Sequence, residues 1–390
     1  MCALTFEKLK NQLNNLDGCI EIKEHTVDKI SFVKEYVKNW LYVVTNVSKK
    51  IYFIDCMSNA GIYKNGYLCS CIEVLNIFYE FATNHKDVEF YLLCNDFDEK
   101  KVEKLKCIKE YAYGKYCNVE NVKIEITNFD ATEYILKLQN RFALSDRNRS
   151  ILLYVDPYNF ISKELLDALF SFTQSVYSEV ILNYFSSDIT RNYYNKTAYK
   201  KREKLDEVVK YYGNFKEEPD SLSIKLMNSI IDNFVSSTSL KYSYVFKIKS
   251  KRNVEQYYLI YFTPNPVGLE KVKDSIWKLF GPCRNNKDKV DMSTVDLFGM
   301  TDFDYIIEQS RDIVKKHLEK NTNCILTFYD IQKIVLEDTI FTANHVVKYI
   351  VKQFINEGIL KKMNYVSTRN YKDDSYMIVK RNITESDFLL

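Results

Sequence analysis

The chain has 390 residues, of which 46% are hydrophobic and 27% charged, with a formal net charge of +3 at pH 7. This length allows two or three domains with separate cores, and the composition is that of an ordinary globular protein. No apolar run approaches the roughly 20 residues that a membrane helix needs, and the first residues lack the layout of a signal peptide. We therefore expect a cytoplasmic protein that does not enter a membrane.

The ten cysteines do not form a metal-binding pattern. No two of them have the C-x-x-C spacing, and the few histidines are distant from them in the sequence. Free cysteine in an apolar context behaves as a small hydrophobic residue. We therefore predict no metal site.

The first half of the chain alternates between short apolar strands and helices of 10–15 residues or more. Five such repeats predict a parallel, doubly wound α/β sheet. The predicted elements are helix 25–46, strand 51–54, helix 70–84, strand 89–94, helix 99–112, strand 122–127, helix 131–142, strand 151–155, helix 162–176 and strand 179–185.

Two later runs, 242–249 and 256–263, are rich in aromatic and β-branched residues and flank a polar loop. This pattern predicts an antiparallel hairpin. A parallel sheet that an antiparallel hairpin closes is the usual outline of the Rossmann-like class I methyltransferase fold, and dehydrogenases rarely have it. Residues 190–219 interrupt the pattern as a polar insertion, which we expect to be helical and exposed.

The last part of the chain has a different pattern, with helices predicted at 302–318, 327–336 and 342–357 and a terminal hairpin after residue 358. Three helices and a terminal hairpin predict a winged helix. The predicted domains are a Rossmann domain with an N-terminal helix at 1–280, a linker at 281–301 and the winged helix at 302–390. Residues 241–390 contain 24 basic and 19 acidic residues, so this part of the chain is mildly basic.

Acidic residues follow most of the predicted parallel strands. Asp55 ends the first strand and opens a short turn that Gly61 closes, and Asp156-Pro157-Tyr158 follows the fourth. The carboxyl ends of parallel strands form one edge of a sheet, where α/β proteins bind nucleotide-like ligands.

With these motifs, the chain resembles the three-Cys-motif partner (TcmP) family, in which a class I methyltransferase-type domain precedes a winged helix. The resemblance covers most of the chain, although two positions depart from the family pattern: the glycine-rich loop keeps one glycine, and Asn159 replaces the glycine after Asp-Pro-Tyr. The matching positions are His25 and Lys29, the segment 53–61, Asp96 and Asp98, the segment 156–159, Asn183 and Arg191, the hairpin strand 256–263, and the helix 268–280 with Trp277.

This resemblance implies S-adenosylmethionine as cofactor. The turn residues Ser58, Asn59 and Gly61 would contact its methionyl part through backbone amides, with glycine present because a Cβ would block the cofactor. Asp55 would orient that turn or bind the cofactor amine. The other predicted contacts are Asp96 or Asp98 with the ribose hydroxyls, and Phe129 or Asp130 with the adenine. The alternative is that these acids cap the helices that follow.

Asp156, Pro157 and Tyr158 are the predicted catalytic residues. In enzymes that methylate exocyclic base amines, a strand-end carboxylate and a proline carbonyl accept the hydrogens of the amine, and an aromatic ring stacks on the extruded base. The alternative is a simple strand-terminating Asp-Pro turn.

Nucleic-acid contacts are predicted for Arg191 and for Lys348 and Lys352 on the third helix of the winged helix. The alternatives are a solvated insertion around Arg191 and a protein-docking role for the winged helix. The main hypothesis is an S-adenosylmethionine-dependent methyltransferase-like protein acting on a nucleic-acid amine. The competing hypothesis is a non-catalytic adaptor that binds nucleic acid or a partner encoded nearby, the three-Cys-motif protein.

Overall fold

The computed structural model describes residues 3–13, 15–143, 148–194, 199–213, 222–250, 255–287, 290, 292–320, 325–362 and 375–378. Its contacts divide the chain into two compact units. The first contains residues 1–275 and 285–287, and the second contains residues 276–284 and 288–390.

The first unit contains a mixed seven-stranded sheet in the order β3-β2-β1-β4-β5-β7-β6. The first five strands are parallel, whereas β7 is antiparallel to both β5 and β6. The strands are β1 Lys50–Asp55, β2 Glu89–Asn95, β3 Val122–Thr127, β4 Arg149–Val155, β5 Glu179–Tyr184, β6 Tyr242–Lys249 and β7 Glu255–Thr263. The fold is therefore Rossmann-like, with the predicted antiparallel hairpin on one side of the sheet.

Helices connect the parallel strands, and each buries an apolar face against the sheet because its hydrophobic residues recur every three or four positions. The strands β1 and β4 are almost wholly buried, which is typical of parallel strands covered on both faces. The helices are α1 Phe6–Lys10, α2 Glu24–Val44, α3 Ser70–Asn84, α4 Glu99–Lys115, α5 Ala131–Ala143, α6 Lys163–Ser175, α7 Ser186–Tyr194, α8 Tyr199–Tyr212, α9 Leu222–Ser237 and α10 Pro266–Phe280.

The described part of the segment predicted to be an exposed insertion at 190–219 is mostly helical, but several of its side chains are buried. In α8, Leu205, Val208 and Tyr212 are buried in the same core as the sheet. Helix α9, which the sequence analysis did not assign, buries Leu226 and Ile230 in that core. These helices are thus part of the domain core, since their apolar residues cover one face of the sheet.

The second unit has its own hydrophobic core, with Phe341, Val346 and Ile350 at its centre. Its strands form a three-stranded antiparallel sheet in the order β8-β10-β9. Its elements are α11 Asp302–Lys320, β8 Ile325–Thr327, α12 Phe328–Asp338, α13 Ala343–His345, a π-helical segment Val346–Val351, α14 Lys352–Asn356, β9 Leu360–Lys362 and β10 Ser375–Ile378. The predicted terminal strand at 376–380 lies partly outside the described residues.

Within the described part of the chain, no helix has the length and apolar character needed to cross a bilayer. The described cysteines are free thiols, and among the described residues no group of three or more His, Cys, Asp or Glu side chains has the geometry of a metal site.

Candidate active site

Three aspartates lie at the carboxyl edge of the sheet, one after each of three neighbouring strands. Asp55 is the last residue of β1, Asp96 follows β2, and Asp156 follows β4. The strands β2 and β4 pair with β1 on its two sides, and in this register Asp55 is opposite Cys94 and Tyr154. The strand order thus brings together three carboxylates that are distant in the sequence.

Asp55 is completely buried, with 0% of its surface exposed. Its Oδ1 accepts a hydrogen bond from the Met57 amide at 3.2 Å, and its Oδ2 accepts one from Ser70 Oγ at 3.1 Å. Burial, with a smaller contribution from the negative charges of Asp156 and Asp96, outweighs these hydrogen bonds and raises the pKa of Asp55 to about 7. Burial thus favours the protonated form of Asp55, and its hydrogen bonds fix the turn that follows β1.

The amides of residues 58–60 in that turn have acceptors within the protein. Ser58 N donates to the Asn95 carbonyl at 2.8 Å, Asn59 N donates to Asp96 Oδ2 at 2.9 Å, and Ala60 N donates to the Asn59 side chain at 2.9 Å. Asp96 is 5% exposed, and its Oδ1 accepts the Asp98 amide at 2.9 Å. Asp96 thus connects the turn after β1 to the end of β2, and these amides stabilise the turn itself.

The structure gives a reason for glycine at position 61 besides the predicted one, which was that a Cβ would block the cofactor. Its φ of +81° lies in the left-handed region, where glycine carries no steric penalty. A Cβ at this position would be 2.7 Å from Ile108 Cδ1 and 3.2 Å from Leu105 Cδ2, both on α4. Glycine therefore suits this position because of its positive φ, and the missing side chain lets the turn pack closely against α4. The neighbouring Asn59 also has a positive φ, +59°.

The ends of β2 and β3 present two aromatic rings. Phe97 is 77% exposed, and Phe129 is half-buried. Asn128 Nδ2 donates to the carbonyls of Asp96 at 2.8 Å and Phe97 at 3.0 Å, which ties these two strand ends together. An exposed ring next to a buried carboxylate gives this corner one stacking surface and one set of hydrogen-bond acceptors.

Asp98 and Asp130 act as helix caps in the structure. Asp98 is the N-cap of α4, and its Oδ1 accepts the Lys100 amide at 3.0 Å. Asp130 Oδ1 accepts the Thr132 amide at 2.9 Å at the start of α5. Both side chains are exposed, and a cap leaves the second carboxylate oxygen available to another donor.

Asp156 lies in a cluster of buried polar side chains on the face of the sheet that α2 covers. Lys29 Nζ, from α2, forms an ion pair with Asp156 Oδ2, and Tyr154 Oη donates to the same oxygen at 3.3 Å. Asn183 Nδ2, from β5, donates to Asp156 Oδ1 at 2.6 Å. Lys29 is 4% exposed, whereas the Asp156 side chain is 22% exposed. Asp156 is thus held from inside the protein and retains one accessible side.

Tyr257 forms one wall of this cluster. Its ring centroid is 5.4 Å from Lys29 Nζ, and its hydroxyl donates to the His25 carbonyl at 2.7 Å. Burial, followed by the charge of Asp156, raises the pKa of Tyr257 well above its usual value, so the phenol stays neutral. The environment of the Lys29–Asp156 pair is therefore aromatic and largely shielded from water.

Tyr158 projects outward from the same strand end, and 59% of it is exposed. Lys101, near the start of α4, donates to Tyr158 Oη at 2.6 Å, and its Nζ is 3.8 Å from Asp96 Oδ1. Burial lowers the pKa of Lys101, but the hydrogen bond to Tyr158 and the charge of Asp96 outweigh this effect and raise it overall. Lys101 therefore links the residue that follows β2 to the aromatic residue that follows β4.

The predicted nucleic-acid contacts lie on α7 in the first unit and on a helical stretch of the second unit. Arg191, on α7, pairs with Asp188 and has a side chain that is 71% exposed. Lys348 and Lys352, in the second unit, are both exposed. They form an exposed polar row with Asn344 and Asn356 because these positions are four residues apart along one helical stretch.

A cavity of about 470 Å³ lies at the opposite edge of the sheet, where the parallel strands begin. Its walls include Trp40, Val47, Ile151, Tyr177 and Val267. None of the predicted site residues lines it. The cavity and the three strand-end carboxylates are thus different places on the first unit.

Sequence reasoning missed two residues of the edge, Phe97 and Lys101. Phe97 was detectable from the sequence. It directly follows the strand-end acid Asp96 and lies outside the apolar runs of the neighbouring strand and helix, which predicts an exposed ring. Lys101 carried no local signal, since its contact with Tyr158 joins residues 57 positions apart.

No protein-family model matches the chain, and no curated protein does. Three solved structures illustrate its structural similarities. The complex of Trm1 from Pyrococcus horikoshii with S-adenosyl-L-methionine is 12% identical, with 62% of this chain and 57% of that chain covered and a TM-score of 0.33. The match thus spans less than two thirds of Trm1.

The methyltransferase domain of bacterial CtHen1 is 10% identical, with 60% and 99% covered and a TM-score of 0.32. Magnesium protoporphyrin IX methyltransferase from Synechocystis PCC 6803 with bound SAH is 10% identical, with 65% and 93% covered and a TM-score of 0.32. The Rossmann-like description of this chain rests on its own strand order.

Proposed function

We propose that the first unit binds S-adenosylmethionine at the carboxyl edge of the sheet and transfers its methyl group to an amine. The observation that carries this proposal is the convergence of Asp96, Asp55 and Asp156 at the ends of three adjacent strands. In open α/β sheets, ligands bind outside the carboxyl ends of the strands, near the point where the strand order reverses. In this sheet that point lies between β1 and β4.

The cofactor's nucleoside would bind at the β2 end of this edge. Each oxygen of Asp96 accepts one amide, and a carboxylate oxygen can accept a second hydrogen bond, here from a ribose hydroxyl. Phe97 and Phe129 offer apolar surface to an adenine. Because the amides of the turn 58–60 already have partners, the proposal assigns cofactor recognition to the side chains around the turn and to its carbonyls.

The acceptor amine would bind at the β4 end. Asp156 accepts hydrogen bonds on its accessible side, the Pro157 carbonyl is a second acceptor, and the exposed ring of Tyr158 is available for stacking. A planar nucleobase amine fits this set better than an alkyl amine, since only the base has a flat face for an aromatic ring. A nucleic-acid amine is therefore the proposed substrate class.

The second unit is proposed to be a winged helix that contacts nucleic acid. Support comes from its three-helix core, its antiparallel sheet β8-β10-β9 and the exposed polar row with Lys348 and Lys352. The resemblance to the three-Cys-motif partner family belongs to the same proposal, with the protein encoded nearby as the alternative partner of this unit.

A second candidate function, a non-catalytic adaptor, is favoured by one specific observation. Asp156 already receives hydrogen bonds from Lys29, Asn183 and Tyr154, which is the pattern of a structural carboxylate. In that case the strand-end acids stabilise the fold, and the chain binds nucleic acid or its partner without methyl transfer.

Calorimetry with S-adenosylmethionine tests the first proposal, with a matched pair of variants. Asp96→Ala removes the proposed ribose acceptor, and loss of hydrogen bonds to a charged group, at roughly 1.5–3 kcal/mol, should weaken binding about tenfold or more. Asp98→Ala removes a neighbouring acid that caps α4, and its affinity should stay within a few-fold of the wild type. Equal losses in both variants, or no heat with the wild-type protein, would contradict the cofactor site.

A further inference from the structure

We propose that Lys29 is itself a methyl acceptor, so that the protein methylates its own chain at this residue. The inference rests on the proposed function, because the methyl group comes from S-adenosylmethionine bound at the carboxyl edge. Its basis is the contact of the Lys29 nitrogen with Asp156, the carboxylate to which the proposed function assigns the acceptor amine.

Lys29 contacts the carboxylate that is proposed to hold the acceptor amine, Asp156. An N-methyltransferase of the proposed type holds its acceptor nitrogen by hydrogen bonds to the strand-end carboxylate. Lys29 Nζ forms that hydrogen bond with Asp156 Oδ2 in the structure. Asn183 holds the other oxygen, Oδ1, and Tyr154 donates to the same Oδ2, so the carboxylate that contacts the nitrogen has a defined orientation.

The Lys29 nitrogen is buried beside an aromatic ring. Lys29 is 4% exposed, and Nζ lies 5.4 Å from the centre of the Tyr257 ring. Aromatic walls around a lysine nitrogen are the recurring way in which proteins bind methylated ammonium groups. Exclusion of water also protects the sulfonium of the cofactor from hydrolysis.

The reaction balances with the groups at this site. An ammonium has no lone pair, so Lys29 must first give a proton to the carboxylate of Asp156. The positive sulfonium favours this transfer, because two like charges repel each other in a buried site. The nitrogen lone pair then forms the new N–C bond, and the electron pair of the C–S bond returns to sulfur, which gives S-adenosylhomocysteine. Asp156 releases its proton to solvent and pairs with the methylated ammonium.

A second buried lysine provides an internal control. Lys101 is 7% exposed, lies near Asp96 at 3.8 Å and has its Nζ 4.6 Å from the Tyr158 ring centre. Its nitrogen donates to a phenol rather than to the acceptor carboxylate. Methylation that depended only on burial, aromatic contact or proximity to the edge would modify Lys101 as well.

The experiment is intact-mass and peptide mass spectrometry of the full chain, as purified and after incubation with S-adenosylmethionine that carries an isotopically labelled methyl group. We expect labelled methyl groups on Lys29 and none on Lys101, with the mass gain abolished in Lys29→Arg and Asp156→Asn and retained in Lys34→Arg, at a lysine of the same helix that pairs with Glu73. Calorimetry with S-adenosylhomocysteine on the same samples separates the two proposals.

If the protein binds the cofactor product and Lys29 carries no methyl group, the self-methylation proposal is wrong and the cofactor site stands. If it does not bind the product and no methyl group is found, both proposals are wrong. Label on Lys101 in the absence of label on Lys29 also overturns the assignment. Circular dichroism of each variant establishes that it is folded before its mass gain is compared.

Discussion

The substitution Asp55→Asn tests the electrostatics of the candidate site through protein stability. Asp55 is fully buried, and burial raises its pKa from 3.8 to about 7. The folded state therefore holds this proton more tightly than the unfolded state, so the free energy of unfolding decreases as the pH rises from about 4 to about 7. Above about pH 7 the full cost of the buried charge is present.

The size of the effect follows from the shift. About three pH units correspond to about 4 kcal/mol at most, at 1.36 kcal/mol for each unit. Asparagine cannot ionise, so Asp55→Asn lacks this pH dependence. Between about pH 5 and about pH 8, the free energy of unfolding of the wild type should therefore fall by about 3 kcal/mol relative to that of the variant. Loss of one acceptor for Met57 or Ser70 lowers the stability of the variant by a constant amount, which does not change this slope.

The assay is urea denaturation followed by tryptophan fluorescence. The chain has two tryptophans, and Trp40 is buried in the first unit. A Trp277→Phe background therefore makes Trp40 the reporter of the unit that contains Asp55. Glu120→Gln, at an exposed carboxylate, is the matched control. If the stability difference for Asp55→Asn is as independent of pH as that for Glu120→Gln, the buried-charge argument is refuted.

Three further predictions concern the turn, the acceptor carboxylate and the second unit. Gly61→Val should destabilise the first unit by about 2 kcal/mol or more, as measured by chemical denaturation. The reasons are the positive backbone φ and the contact of a new side chain with Ile108. Asp156→Asn should abolish transfer of labelled methyl groups and leave cofactor affinity within a few-fold in calorimetry; retained transfer would show that the carboxylate is not needed. Lys348→Ala and Lys352→Ala should each reduce the slope of log affinity for DNA or RNA against log salt by about one, and an unchanged slope in both would favour a protein partner.

The fold was largely predictable because its signals are local. The strand β3, Val122–Thr127, and the helix α3, Ser70–Asn84, have the bounds that alternation and periodicity predict. The hairpin of β6 and β7 was also predictable from its aromatic and β-branched runs. Helix α9 was missed although Leu226 and Ile230 follow a helical period, and the segment between the insertion and the hairpin was left unassigned.

The candidate site was predictable only in part, because strand ends are visible in a sequence and contacts between distant residues are not. The aspartates at 55, 96 and 156 could be assigned to one edge because each lies at the end of a predicted parallel strand. The partners of Asp156 could not, since Lys29 lies 127 positions away and Asn183 lies 27 positions away.

The structural role of Gly61 was likewise invisible in the sequence. A glycine after a strand indicates a tight turn, but the atom that excludes a Cβ here is the end of the Ile108 side chain on another helix. A sequence pattern alone does not distinguish a glycine that makes room for a cofactor from one that makes room for its own protein.

The most direct test of the central claim is a crystal structure of the chain with S-adenosylhomocysteine. The account predicts that the ribose hydroxyls lie within hydrogen-bond distance of Asp96 and that the sulfur lies on the side of Asp55 that faces Asp156. If the ligand binds instead in the cavity near Trp40 and Val267, at the opposite edge of the sheet, the assignment of the site is contradicted.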